Sequence, residues 1–141
     1  MSDRAATLPP PGPSGKGPVL VVEDEAGLAE VLALHLGAAG YAPVVAPDGL
    51  AALHALDGPP PRAILLDLDL PQVSGFRLLE VLRQRPALAG VPVLVLTALS
   101  FAEARGVARS GVADFVTKPY DPGAIVRRLD RLLGGASAAP P

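Results

Sequence analysis

Five acidic residues of this chain stand beside apolar, branched runs rather than scattered over polar stretches. Glu23, Asp24 and Glu25 follow Val19-Leu20-Val21-Val22, and Asp67 and Asp69 close the stretch Ala63-Ile64-Leu65-Leu66-Asp67-Leu68-Asp69-Leu70-Pro71. Runs of this kind read as buried strands. A sheet interior does not tolerate an unpaired charge, so Asp67 must sit at a strand mouth, facing a cation, a basic side chain or both. Two further polar residues end apolar runs: Thr97 after Pro92-Val93-Leu94-Val95-Leu96, and Lys118 after the run 113–117. Lysine is rare here, with only Lys16 and Lys118 among the 12 basic residues.

Carboxylates of Glu23, Asp24 and Asp67 meeting at one place would repel one another and raise one another's pKa unless a divalent cation or Lys118 neutralised them. Hard oxygen ligands with room for water suit Mg²⁺, or Mn²⁺ in its place. An aspartate beside such a cation, with a lysine and a threonine across from it, is suited to accept a phosphoryl group. The Asp67 carboxylate is the nucleophile, Lys118 neutralises charge on the transferring oxygens, and the Thr97 hydroxyl donates a hydrogen bond to one of them. An acyl phosphate adds a dianion to a tight site, so its neighbours must shift, which is the physics of a phosphorylation switch.

The elements that position these residues alternate. Strand Val19–Val22 leads to a helix carrying Leu28, Val31, Leu32, Leu36 and Ala39 at helical spacing, with Gly40 placed to end it. A short edge strand, Val44 to Ala46, is entered through Pro43. Pro47-Asp48-Gly49 opens a second helix with Leu50, Leu53 and Leu56, which Gly58 and three prolines close. The third strand is the opening acidic stretch. A helix over about Ser74 to Gln84 buries Leu78, Leu79 and Leu82, with Phe76 and Val81 flanking, and leads to the fourth strand, Pro92–Thr97. A weak fourth helix is expected over Phe101–Arg109, a fifth strand over Ala113–Thr117, and a fifth helix capped by Asp121-Pro122 with Ile125, Val126, Leu129, Leu132 and Leu133 on one stripe. The alternation predicts an α/β fold: a flavodoxin-like, doubly wound, five-stranded parallel sheet in the order 2-1-3-4-5 with five helices. That order sets Glu23, Asp24, Asp67, Thr97 and Lys118 at one carboxyl edge, where ligands of open α/β sheets bind.

The 141 residues fit one domain, 19–133, between a Pro/Gly-rich disordered tail, 1–18, and a flexible tail, 134–141. Half the residues are apolar but only 4% aromatic, so Leu, Val and Ala build the core, as in buried parallel strands. A formal charge of −2 argues against a general nucleic-acid surface. The absence of cysteine, of a membrane span and of a signal-peptide core leads to the expectation of a cytoplasmic protein with no membrane partner. Gly12-Pro13-Ser14-Gly15-Lys16-Gly17 invites comparison with a phosphate-binding P-loop but lacks its first glycine and final Ser/Thr, and it precedes a strand instead of following one.

With those motifs in order, the chain resembles the receiver domain of bacterial two-component response regulators. The resemblance rests on Val19-Leu-Val-Val-Glu-Asp-Glu25, Leu65-Leu-Asp-Leu-Asp-Leu-Pro71 with Gly75, Leu96-Thr-Ala98 and Val116-Thr-Lys-Pro119. It implies that Asp67 accepts phosphate from a histidine kinase or histidine phosphotransfer protein. It also implies that Asp24, Asp67 and the Asp69 backbone carbonyl ligate Mg²⁺, with Glu23 acting mainly through water. Thr97 and Lys118 would bind the phosphoryl oxygens, Phe115 would be the aromatic switch, and the Lys118–Pro119 bond would be cis. The absence of an output domain in this sequence resembles a stand-alone regulator, monomeric or dimeric on phosphorylation, signalling to a downstream protein through the face of the fourth helix, fifth strand and fifth helix. Activity beyond the switch would be limited to self-phosphorylation and self-dephosphorylation.

Departures from the family pattern are Glu23 where Asp is more familiar, the extra charge of Asp69, and Leu99 near the route of attacking water. Bland roles stand beside the sharp ones. Glu23 and Asp24 could cap the first helix, Phe115 could be core, and His35 and His54 read as partly buried or surface histidines, whereas a partner contact is the functional reading of Tyr120. Arg127, Arg128 and Arg131 form the exposed side of the last helix, a solvated face or a docking one. The competing function is a haloacid-dehalogenase-like phosphatase using Asp67 and Asp69. Against it, that signature belongs on a first strand.

Overall fold

The computed structural model describes residues 15–70, 75–98 and 114–135. Five strands run parallel: β1 (Gly17–Val22), β2 (Tyr41–Ala46), β3 (Ala63–Asp67), β4 (Val93–Thr97) and β5 (Asp114–Thr117), in the order β2-β1-β3-β4-β5. The described α-helices are α1 (Ala26–Ala38), α2 (Gly49–Ala55), α3 (Gly75–Arg83) and α4 (Pro122–Asp130), with a 3-10 turn at Pro86–Leu88 and a π-type turn at Arg131–Gly135. The helix expected over Phe101–Arg109 lies outside the described residues, as do Leu99 and most of both expected tails. β1 begins at Gly17, so the expected tail boundary after Pro18 falls two residues inside the sheet.

Period-2 alternation divides the core in two. Leu20, Val22, Ile64, Leu66, Val93 and Val95 face α2 and α3, packing with Ala52, Ala55, Leu78, Leu79 and Leu82. Val19, Val21, Ala63, Leu65, Leu94 and Leu96 face α1 and α4, packing with Leu32, Leu36, Ile125, Val126 and Leu129. The pairings Val21↔Leu65, Leu65↔Leu94 and Leu96↔Val116 keep each layer in step across the sheet, so the polar strand ends align as well.

Some helix faces differ from those predicted. Val31 and Leu50 are exposed; on α2 the sheet is met by Ala52 and Ala55, small residues that let the helix approach closely. Leu132 is likewise exposed, where the chain leaves α4 for the π-type turn. Pro43 lies inside β2 rather than at its entry, tolerated because β2 is an edge strand. Asp48 caps α2, accepting from the Ala51 amide at 2.8 Å. Asp121 holds the capping position of α4 but makes no side-chain cap; its carbonyl oxygen accepts from Ala124 and Ile125 instead. Gly40, with φ +102°, follows the last turn of α1 in the left-handed region that ends helices.

α3 approaches β3 so closely that a Cβ at Gly75 would stand against the Leu68 Cα and 2.9 Å from the Asp67 carbonyl oxygen. Both are backbone atoms next to the acidic strand end. Gly75→Ala should therefore cost about 1–3 kcal/mol in urea denaturation, the range for overpacking a site that cannot give way. On α1, Leu36→Ala should cost about 2–5 kcal/mol, whereas Leu34→Ala, on the solvent side, should stay within about 0.5 kcal/mol in the same measurement.

Candidate functional site

Three strand ends and the turn after β5 converge at the carboxyl edge. Asp67 is the last residue of β3 and is buried, 1% exposed. A carboxylate so far from water must find its compensation in the protein. Lys118 donates from Nζ to both Asp67 oxygens at 3.0 Å, and the Asp69 amide donates to Asp67 Oδ1 at 2.8 Å. Lys118 is held in turn by its own backbone, whose amide donates to the Thr97 carbonyl at 2.7 Å. The Lys118–Pro119 bond is cis, as the resemblance implies.

Glu23 and Asp24 follow β1, the strand next to β3 at the switch point of the sheet. Carboxylate oxygens of Glu23, Asp24 and Asp67 lie within 4.8 Å of one another. Glu23 is buried while Asp24 is exposed. Neither role as a cap of α1 is taken up: the residue at the capping position is Glu25, without a side-chain cap. Glu23 Oε2 accepts from the Glu25 amide at 3.0 Å, but Oε1 is buried and unpartnered. Burial pushes the Glu23 carboxyl up to about 7, the neighbouring Asp67 carboxylate adds to this, and the Glu25 amide and Lys118 oppose it. An orphaned carboxylate oxygen beside two more carboxylates is the arrangement a hard cation, or water bound to it, would satisfy, so the donor set fits such an ion.

The ammonium of Lys118 shows the opposite balance. Burial alone would lower its pKa, but the hydrogen bond to Asp67 and the charges of Asp67, Glu23 and Asp69 outweigh this and raise it. Tyr120 is held near the same acids: its buried hydroxyl makes no hydrogen bond, and burial, with the charges of Glu23, Asp67 and Glu25, raises its pKa.

Thr97 is fully buried at the end of β4, in register with Thr117 of β5 and one strand over from Asp67. Phe115 is half-buried, opposite Val95, and packs against the α2–α3 layer. Asp69 was expected to contribute a backbone carbonyl and a nearby charge. Its side chain also crosses the site: Oδ2 accepts from the Ala98 amide at 3.1 Å and lies 3.4 Å from Lys118 Nζ. The sequence signal for this contact was weak, because nothing in an Asp-x-Asp pair says which way the second carboxylate turns.

The arginines of the last helix are not one exposed face. Arg127 is exposed and 3.7 Å from Asp121, and Arg131 is exposed. Arg128, by contrast, ion-pairs with Asp114 of β5 at 2.6 Å and donates to the Phe115 carbonyl at 3.4 Å. His35 and His54 are both on the surface, away from the acids in sequence and element. The Asp67-Leu68-Asp69 signature starts at the last residue of the third strand, not the first, which counts against the phosphatase reading.

The comparisons with known proteins agree with this geometry. The family described as "Response regulator receiver domain" matches residues 19–130. The phosphate regulon transcriptional regulatory protein PhoB of Escherichia coli (strain K12) is 37% identical over 117 residues, covering 82% of this chain and 51% of that protein. The chain thus spans about half the length of the curated relatives it matches. A response regulator from Chloroflexus aurantiacus J-10-fl superposes with a TM-score of 0.77 at 32% identity, covering 83% of this chain and 97% of that one. The receiver domain of the sensor histidine kinase PA1611 from Pseudomonas aeruginosa PAO1, solved with magnesium in its active-site cleft, gives 0.75 at 28% identity, covering 84% and 98%. Its fold, its regulatory class and its place in two-component signalling follow from these matches: the chain belongs to the response regulator receiver domain family.

Proposed function

We propose that the chain is a Mg²⁺-dependent phosphoryl acceptor on Asp67, loaded by a phosphohistidine of a histidine kinase or phosphotransfer protein. The observation that carries this reading is the buried Asp67 carboxylate, with Lys118 Nζ 3.0 Å from both oxygens and two further carboxylates beside it. An Asp67 oxygen attacks phosphorus in line as the P–N bond of the donor breaks, and the bonding pair leaves on the imidazole nitrogen, which takes up a proton. Lys118 neutralises charge on the transferring oxygens, and Thr97 offers its hydroxyl to one of them. Glu23, Asp24, Asp67 and the Asp69 backbone carbonyl are the residues that would hold the ion, Glu23 through water. Bound there, the ion would supply positive charge to the phosphoryl oxygens. The magnesium in the PA1611 receiver supports the same choice here, with Mn²⁺ as a substitute.

Phosphorylation draws Thr97 and Lys118 toward the new oxygens and frees Phe115 to repack, which alters the surface of β5, α4 and the expected helix over Phe101–Arg109. That face is where a downstream protein would bind. The absence of nucleic-acid contact is proposed for these receiver residues alone, since they match only 51% of PhoB, a transcriptional regulatory protein. Among the described residues, no helix is long and apolar enough to cross a membrane, in keeping with a cytoplasmic setting.

Incubation with acetyl phosphate and Mg²⁺ should add one phosphoryl group to the wild type by intact mass and none to Asp67→Asn. Release of many phosphates per protein from small phosphomonoesters would instead favour a phosphatase. Glu23 offers a pH test in metal-free protein. Its folded pKa, about 7, lies above the 4.5 of the free group, so the penalty for charging it is absent below 4.5 and complete above 7. Stability should fall as pH rises across that window. Glu23→Gln should raise the melting temperature at pH 8 in chelator and lose that advantage near pH 4.5, and saturating Mg²⁺ should reverse the order at pH 8.

A further inference from the structure

The side chain of Asp69 occupies a position that its neighbours fit for something else. Its Oδ2 accepts from the Ala98 amide at 3.1 Å, a contact reaching over 29 residues of sequence. Ala98 is the first residue past the end of β4, so its amide points from a strand terminus instead of into the ladder. The same oxygen is 3.4 Å from Lys118 Nζ, which is already shared between the two oxygens of Asp67. A backbone N–H and an ammonium directed at one point form an anion-binding pair. In the resting protein that pair is filled by the protein's own carboxylate.

We propose that Asp69 is an internal competitor of the phosphoryl group, resting on the Ala98 amide and Lys118 and leaving when an anion arrives. This rests on the reading of Asp67 as the phosphoacceptor. Three properties of the contact support it. First, an anion joined to Asp67 and neutralised by Lys118 would come within reach of the Ala98 amide, next to Thr97, and would need the place Asp69 holds. Second, a phosphoryl group brings two negative charges up to a carboxylate that cannot be neutralised twice by one lysine, so repulsion drives Asp69 out. Third, Asp69 can leave: its side chain is 42% exposed, against 1% for Asp67, so rotation into water regains hydration and gives up only solvent-screened contacts. Asp69 thereby sets a threshold. A weak or dilute phosphodonor must displace it, and once phosphoryl is lost the carboxylate returns to close the donor pair.

The test compares the 141-residue wild-type chain, Asp69→Asn and Asp69→Ala in saturating Mg²⁺, using beryllofluoride titration by calorimetry and acetyl phosphate loading by intact mass. Both variants keep the Asp69 backbone carbonyl and amide. Each should bind beryllofluoride about three- to tenfold more tightly than wild type and load faster at limiting acetyl phosphate, the scale of removing one charge-assisted competitor at a half-exposed pair. In the absence of anion, the Ala98 amide proton should move upfield in Asp69→Ala, showing the lost acceptor. Beryllofluoride affinity unchanged or weakened in both variants, with Asp67 still loaded, overturns the competitor role and leaves the phosphoacceptor reading standing. No beryllofluoride binding and no Asp67 adduct in any of the three proteins removes the phosphoacceptor reading, and the competitor role with it.

Discussion

The structure depends on the cost of burying the Asp67 carboxylate. A carboxylate cut off from water at the end of a central strand must be compensated by the protein, and here it is held by two contacts from Lys118 and one from the Asp69 amide. Each of those donors depends on something further away. Lys118 reaches Asp67 only because β5 is in register with β4 and its amide is tied to the Thr97 carbonyl. The Asp69 amide reaches back because the chain turns directly after β3, where α3 packs against Leu68 with no side chain at Gly75. The apolar layers above and below the sheet keep water out, and so make these few polar contacts matter.

The same carboxyl edge is unevenly balanced in charge. Glu23, Asp24 and Asp67 cluster beside one ammonium that also lies near Asp69, and burial pushes the Glu23 carboxyl up to about 7. A site of this kind is poised between two ways of reducing its repulsion: taking up a cation among the carboxylates, or turning the exposed Asp69 carboxylate away. Those are distinct motions of distinct groups, one at β1 and β3 and the other at β3 and β4. A phosphorylation switch can therefore be read as a rearrangement of a charge balance that the resting fold leaves incomplete.

At the opposite end of the sheet the chain is fastened by a separate polar cluster. Tyr41 donates to Asp130 at 2.6 Å, Lys16 reaches the same carboxylate oxygen at 3.1 Å while lying over the Tyr41 ring, and Arg62 donates to the carbonyls of Lys16 and Leu133. The Tyr41 and Lys16 contacts hold the Asp130 carboxyl below its ordinary range against the opposing effect of burial. The cluster joins the entry to β1 to the exit of α4. Arg128 ties α4 to β5 through Asp114, so α4 is anchored both to its neighbouring strand and to the entry of β1.

What the sequence determined by itself was local in origin. Branched apolar runs of four or five residues become parallel strands because nothing else buries them, and a polar residue at the end of such a run must lie at the strand mouth. That reasoning reached the strand order and the identities of Glu23, Asp24, Asp67, Thr97 and Lys118, which the structure brings to one edge. Only the tertiary structure decided which partner each polar group takes. Leu50 lost its place on the buried face to Ala52 and Ala55 because the distance between α2 and the sheet favours small residues. Arg128 turned from solvent to Asp114, Lys16 left the expected tail for a residue 114 positions away, and Asp69 crossed to Ala98. Those contacts depend on register, helix separation and rotamer, which are properties of the assembled sheet and are not encoded in the spacing of any one segment.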